Sequence, residues 1–105
     1  MEATNLTKEF KTIAEITPPI TEQWMAMALP SNPGWVSILL PQRSQLAYPL
    51  RPGAIFSIPA DYVGSIVAGL GCIGMPSPGS GVVVFFSSEE QGEMEAMYLY
   101  ANEEN

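Results

Sequence analysis

Apolar side chains occupy odd and even positions alike through residues 82–86, three valines followed by two phenylalanines. This β-branched and aromatic composition predicts a central strand covered on both faces. After a polar break at 87–93 the pattern resumes, with Met94, Ala96, Tyr98 and Tyr100 alternating against Glu95, Met97 and Leu99. The alternation predicts a hairpin with Gly92 at the loop position that needs φ > 0. The competing reading of 89–100 is a helix, since Glu and Met favour one.

Upstream, Leu6, Phe10 and Ile13, with Ala14 or Ile16, recur at helical spacing opposite Lys8, Glu9, Lys11 and Glu15. They predict a short amphipathic helix, which Thr17-Pro18-Pro19 ends because proline lacks a donor and pushes its predecessor out of the α region. Residues 21–29 read as a strand in preference to one or two helical turns, and 35–40 read as another. The turn cluster 30–34 between them predicts a second hairpin. Pro41, Pro49, Pro52 and Pro59 exclude long ladders, so strands at 44–48 or 54–57 are short or at an edge. Pro52-Gly53 suits a type II turn. Pro59 near the first helical position and Asp61 in the first turn predict a helix burying Tyr62, Val63, Ile66, Val67 and Leu70, weakened by Gly64 and Gly69. Residues 75–81 form a loop. The expected fold class is α+β: a small antiparallel sheet built from hairpins, covered by one or two short helices. It forms a single domain over 1–105, with a frayed acidic tail at 101–105.

Charge changes this picture. The net charge of −7 is divided between residues 1–22, at −2, and residues 89–105, at −6, while 23–88 contribute only Arg43, Arg51 and Asp61. A domain normally shows water about a quarter charged residues, so the middle of this chain predicts an uncharged surface of the kind that meets another protein. Self-association or a protein partner is therefore expected. Four cations cannot neutralise a phosphate backbone, which excludes direct nucleic-acid binding. The single cysteine, Cys72, cannot form an internal disulfide, and its apolar neighbours predict an inert packed thiol in a reducing compartment. The first residues lack the basic and apolar segments of a signal peptide, and the longest nearly uncharged run, 62–75, falls short of the roughly twenty residues that span a bilayer. A cytoplasmic protein with no membrane contact is expected.

Residues 69–74 spell G-x-G-x-x-G, but the prolines that follow cannot open the helix a dinucleotide site requires, and the motif is rejected. With no histidine, one cysteine and one aspartate, Ser-His-Asp, Cys-His and histidine-ligated metal sites are impossible. No catalytic, cofactor or metal site is expected. Binding is the better class. Gln42, Arg43 and Arg51, with Tyr48 between them, offer guanidinium forks for an anion or acidic partner. Ser77, Gly79 and Ser80 offer loop amides, and Trp35 an aromatic anchor. The alternative is that each arginine pairs with a glutamate of the acidic ends. These features predict a small noncatalytic interaction protein occupying a partner protein surface, with a phage-encoded inhibitor of host defence as the compositional setting. Two other readings stand beside it: a homo-oligomer sequestering an anionic metabolite or nucleotide through Arg43, Arg51 and the 77–81 loop, and a structural subunit of a larger assembly.

Overall fold

The computed structural model describes residues 1–71 and 73–100. The valine and phenylalanine run forms strand β8 (Val82–Ser87), which is interior as its composition demands. It lies between β1 (Glu2–Asn5) and β3 (Trp24–Ala28), and β6 (Ile55–Ser57) completes this sheet in the order β1-β8-β3-β6. A second four-stranded sheet has the order β2-β7-β4-β5, from β2 (Lys11–Ile16), β7 (Gly64–Leu70), β4 (Val36–Leu39) and β5 (Tyr48–Leu50). These are called sheets A and B. After β8 come one 3₁₀ turn, Ser88–Glu90, and helix α1 (Gln91–Tyr98).

All pairings are antiparallel, and four of them are nested: β1 with β8, β2 with β7, β3 with β6, β4 with β5. The chain is thus a long doubled ribbon, folded over so that β3 also meets β8 and β4 also meets β7. This arrangement of eight strands in two sheets is the double-sheet jelly roll.

Alternation along the strands explains the layers. Val83, Ala26 and Ala28 of sheet A meet Ile16, Val36, Ile38, Leu50, Ile66, Ala68 and Leu70 of sheet B in the central core, with Trp24 and Phe85 packed against it. Their rings stack at 4.8 Å. The intervening residues Met25, Met27, Val84 and Phe86 face the other way and bury against Met94 of α1, with Tyr98, Leu99 and Met1 alongside. A strand apolar at every position is what two covered faces require.

Several expectations are corrected. The described residues are mostly sheet with one short helix, loosely consistent with the expected α+β class, but they form two small sheets in place of one. Residues 6–16 are a loop followed by β2, not a helix: the register slips between Thr12 and Ala14, and this bulge sets Ile13 and Ala14 side by side, breaking strict alternation. The helix expected after Pro59 is only a turn leading into β7, in which Ile66, Ala68 and Leu70 alternate inward. Residues 91–98 are helical, so no hairpin forms there. β3 and β4 lie in different sheets, so the turn between them does not close a hairpin. The strands at 24–28, 36–39 and 82–87 agree with expectation, as does the short edge strand β6, whereas the strand expected at 44–48 lies instead at Tyr48–Leu50, with Pro49 inside it at the sheet edge. Gly53 has φ +89° in the expected Pro-Gly turn. The expectations for Cys72 and the 101–105 tail lie outside the described residues.

Candidate functional site

Strand direction alternates, so the loops gather at two ends. At one end are residues 6–10, 29–35, 51–54, 71 and 73–81, tied by backbone bonds: Leu6 N–H donates to Gly81 O at 2.8 Å, Leu70 N–H to Thr7 O at 2.9 Å, and Gly71 N–H to Trp35 O at 2.7 Å. Asn32 completes the tie, accepting from Val82 N–H on Oδ1 at 2.8 Å and donating from Nδ2 to Val82 O at 2.9 Å. At the other end are residues 17–23, 40–47, 58–63 and the segment from Ser88 onward, where Gln23 Nε2 donates to Ile58 O at 2.9 Å.

This geometry divides the predicted binding residues. Trp35, Arg51, Ser77, Gly79 and Ser80 share the first end, where the Arg51 guanidinium lies 5.4 Å from the centre of the Trp35 ring. Gln42 and Arg43 sit at the opposite end of β5 and are already engaged. Arg43 Nη2 is 2.8 Å from Asp61 Oδ1, and its guanidinium lies 5.9 Å from the Tyr62 ring centre. Each partner's pKa moves outward through that shared hydrogen bond, Arg43 up and Asp61 down, but the pair is solvated and correspondingly weak. Gln42 Oε1 accepts from Ser65 N–H at 2.8 Å and lies 2.9 Å from the Tyr62 hydroxyl, itself 2.6 Å from Ser65 O. Tyr48 packs its ring 4.8 Å from Phe56, closing the margin between β5 and β6. The expected single arginine site is therefore not assembled: β5 separates its halves, and the partner of Arg43 is Asp61 and not a terminal glutamate.

The residues that do converge lie on the outer face of sheet B. Register places Thr12, Glu15, Ser65, Val67, Gly69, Ser37, Leu39 and Pro49 on that face, which carries the single carboxylate of Glu15. Phe10 lies over Gly69, where a Cβ would come within 2.5 Å of its ring. Beside Phe10 a groove of about 250 Å³ runs past Ser37, Ala47, Met75 and Ser77, with Ile73 on its wall. The Ser37 hydroxyl, although buried, donates to Gly71 O at 2.6 Å and so presents no free polar group to the groove. Ile73 is 96 % exposed, Leu46 73 %, Met75 50 % and Phe10 43 %. Among the described residues no titratable side chain lines the groove, and Glu15 is the one that lines a second cleft of about 220 Å³ near the Trp24–Phe85 stack.

Compared with known proteins, the chain matches no protein-family model, no curated protein and no solved structure.

The carboxylates lie elsewhere. Glu89, Glu90, Glu93 and Glu95 cluster in the 3₁₀ turn and α1, the layer packed on the outer face of sheet A. Glu90 is held below the usual carboxylate range chiefly by a hydrogen bond from the N-terminal ammonium of Met1, at 2.7 Å, and then by Ser87 N–H, at 2.9 Å. The two broad faces thus differ in kind, one acidic and one almost uncharged. Sequence reasoning reached the uncharged surface through composition but sought its binding residues at Trp35, Gln42, Arg43, Tyr48, Arg51 and the 77–81 loop. Phe10, Ile73 and Met75 were missed because Phe10 was assigned to a helix, Ile73 was read only as part of the rejected glycine motif at 69–74, and the 75–81 loop was read for its backbone. Among the described residues, no helix is long and apolar enough to cross a membrane.

Proposed function

We propose that this chain is a noncatalytic interaction protein that occupies another protein surface through the outer face of sheet B, as a structural subunit of a larger assembly. The observation that carries the reading is the contrast between the two broad faces. Apolar side chains left in water beside an uncharged sheet gain from docking, whereas a carboxylate-bearing helix layer is stable facing solvent. Double-sheet jelly rolls include viral capsid subunits, which pack side by side in many copies. That likeness is one of architecture only, and the argument for docking rests on the face itself.

An inhibitor of host defence would use the same uncharged face, and partner stoichiometry separates it from an assembly subunit. Sequestration of an anion loses its joint arginine site, since Arg43 and Arg51 flank opposite ends of β5.

A photo-crosslinking side chain at Leu39 on the outer face, compared with one at Met97 on α1, tests the proposal in cells that produce the protein. One dominant adduct from Leu39, absent from Met97 and present at near-stoichiometric levels in a large particle, is expected. Adducts that are equal from both positions, or absent from Leu39, refute the docking face.

A further inference from the structure

We infer that helix α1 is a hinged cover, which lifts off sheet A and unravels as one unit while both sheets stay folded, turning an acidic face into an apolar one. The inference concerns the face opposite the proposed docking surface and stands apart from that reading. What carries it is the way the segment is attached. Its anchors lie at the root: Ser88 N–H donates to Gln23 O at 2.9 Å, and Glu90 accepts from the Met1 ammonium at 2.7 Å and from Ser87 N–H at 2.9 Å. Farther along, among the described residues, no hydrogen bond joins 92–100 to a strand of either sheet; Leu99 N–H and Tyr100 N–H, for example, both donate to Glu95 O within the segment. Opening at that hinge therefore breaks no hydrogen bond to the sheets. It removes apolar cover alone, that of Met94, fully buried, and of Tyr98 and Leu99, partly so.

By itself α1 is weak. Its eight residues fall short of the roughly 12–15 that sustain a helix in water, Gly92 lies inside it, and no basic residue in the last turn offsets its dipole. Helicity and docking are then lost together, as in other cooperative units of low local stability. The face beneath suits release and return. Met25, Met27, Val84 and Phe86 line it, and four of the chain's six methionines, Met1, Met25, Met27 and Met94, meet in this layer. Methionine is unbranched and polarizable, so it repacks readily against a neighbour that comes and goes. The closed form shows water the carboxylates of Glu89 and Glu93; the open form shows thioethers and a phenyl ring.

Native-state hydrogen exchange of the full chain, in a urea series below its unfolding midpoint, tests this beside oxidation by dilute hydrogen peroxide, which passes one oxygen to a thioether and leaves water. Amides of 95–99 are expected to exchange through one shared opening that urea barely alters, because it bares little surface. That opening should be at least about a hundredfold more frequent than the one that exposes amides of β3 and β8. Met25 and Met27 should oxidise at a rate that follows it. Met94→Ser should raise both rates at least about tenfold and leave amides of β4 and β7 protected, whereas Met97→Ser, at an exposed position, should change neither. Exchange of 95–99 only in step with β8, with the same urea dependence, overturns the inference. So does a Met94→Ser chain that loses protection in both sheets together. Oxidation of Met25 and Met27 held to the rate of global unfolding while 95–99 opens shows that the face is not bared, and overturns it as well.

Discussion

Gln42 shows how one side chain sets its neighbours' identities. Its amide oxygen reaches into β7 to accept from Ser65 N–H, and it can do so because Gly64 has no Cβ; a Cβ there would overlap the Gln42 side chain. Gly64 also sits at φ +141°, which other residues rarely adopt. Gly64→Ala is therefore expected to cost about 1–3 kcal/mol in urea unfolding, through strain and the displaced amide. Glu90 gives a residue-scale pH dependence. Its folded pKa is depressed, so the stability it contributes is complete above the unfolded value of about 4.3 and is lost as pH falls through the folded one. Asp61, also depressed by Arg43, acts with the same sign. The melting temperature should fall below about pH 4, and Glu90→Gln should shallow that acid limb in a calorimetric pH series.

Helix α1 illustrates an element that its neighbours decide. Its glutamates, methionines and alanine permit a helix, yet residues 94–100 also alternate well enough for a strand. What selects the helix is the outer face of sheet A, where Met25, Met27, Val84 and Phe86 need cover and Met94 supplies it, fully buried. Met94→Ala should cost about 2–5 kcal/mol and raise amide exchange across 91–98. The β2 region failed in the opposite direction. Its bulge at Ile13 and the solvent-facing Phe10 imitate the three- and four-residue spacing of a helix, although Phe10 belongs to a loop lying over Gly69. In β7 the glycines were read as weaknesses in a helix, whereas both admit a close neighbour to a strand: Gln42 at Gly64 and Phe10 at Gly69. Elements with composition and punctuation in agreement were legible, among them β8, β4 between Gly34 and Pro41, and the edge strand β6 after Pro52-Gly53.

For the whole molecule, nesting governs assembly. β1 must find β8 and β2 must find β7 across most of the chain before either sheet is complete. Loop-closure entropy is incurred before those distant pairs return any contact energy, so refolding should take milliseconds to seconds and not microseconds, as stopped-flow fluorescence of Trp24 and Trp35 can show. The same nesting brings residues 6–10 and 73–81 to one end and builds the groove from Phe10 and Ile73, far apart in sequence but lining one recess.

Legible in the residues alone were the doubly covered central strand, the short edge strand bounded by Pro52 and Pro59, the uncharged middle with acidic ends, and an inventory without histidine. These follow from local composition, which acts whatever the chain's long-range path. Only the tertiary structure decided that two sheets form in place of one, that 91–98 is helical, that Arg43 and Arg51 part company, and that Phe10, Ile73 and Met75 share a face. Each of these depends on which distant strand supplies the second wall of a layer, and that partner is set by burying both faces of β3 and β8 at once.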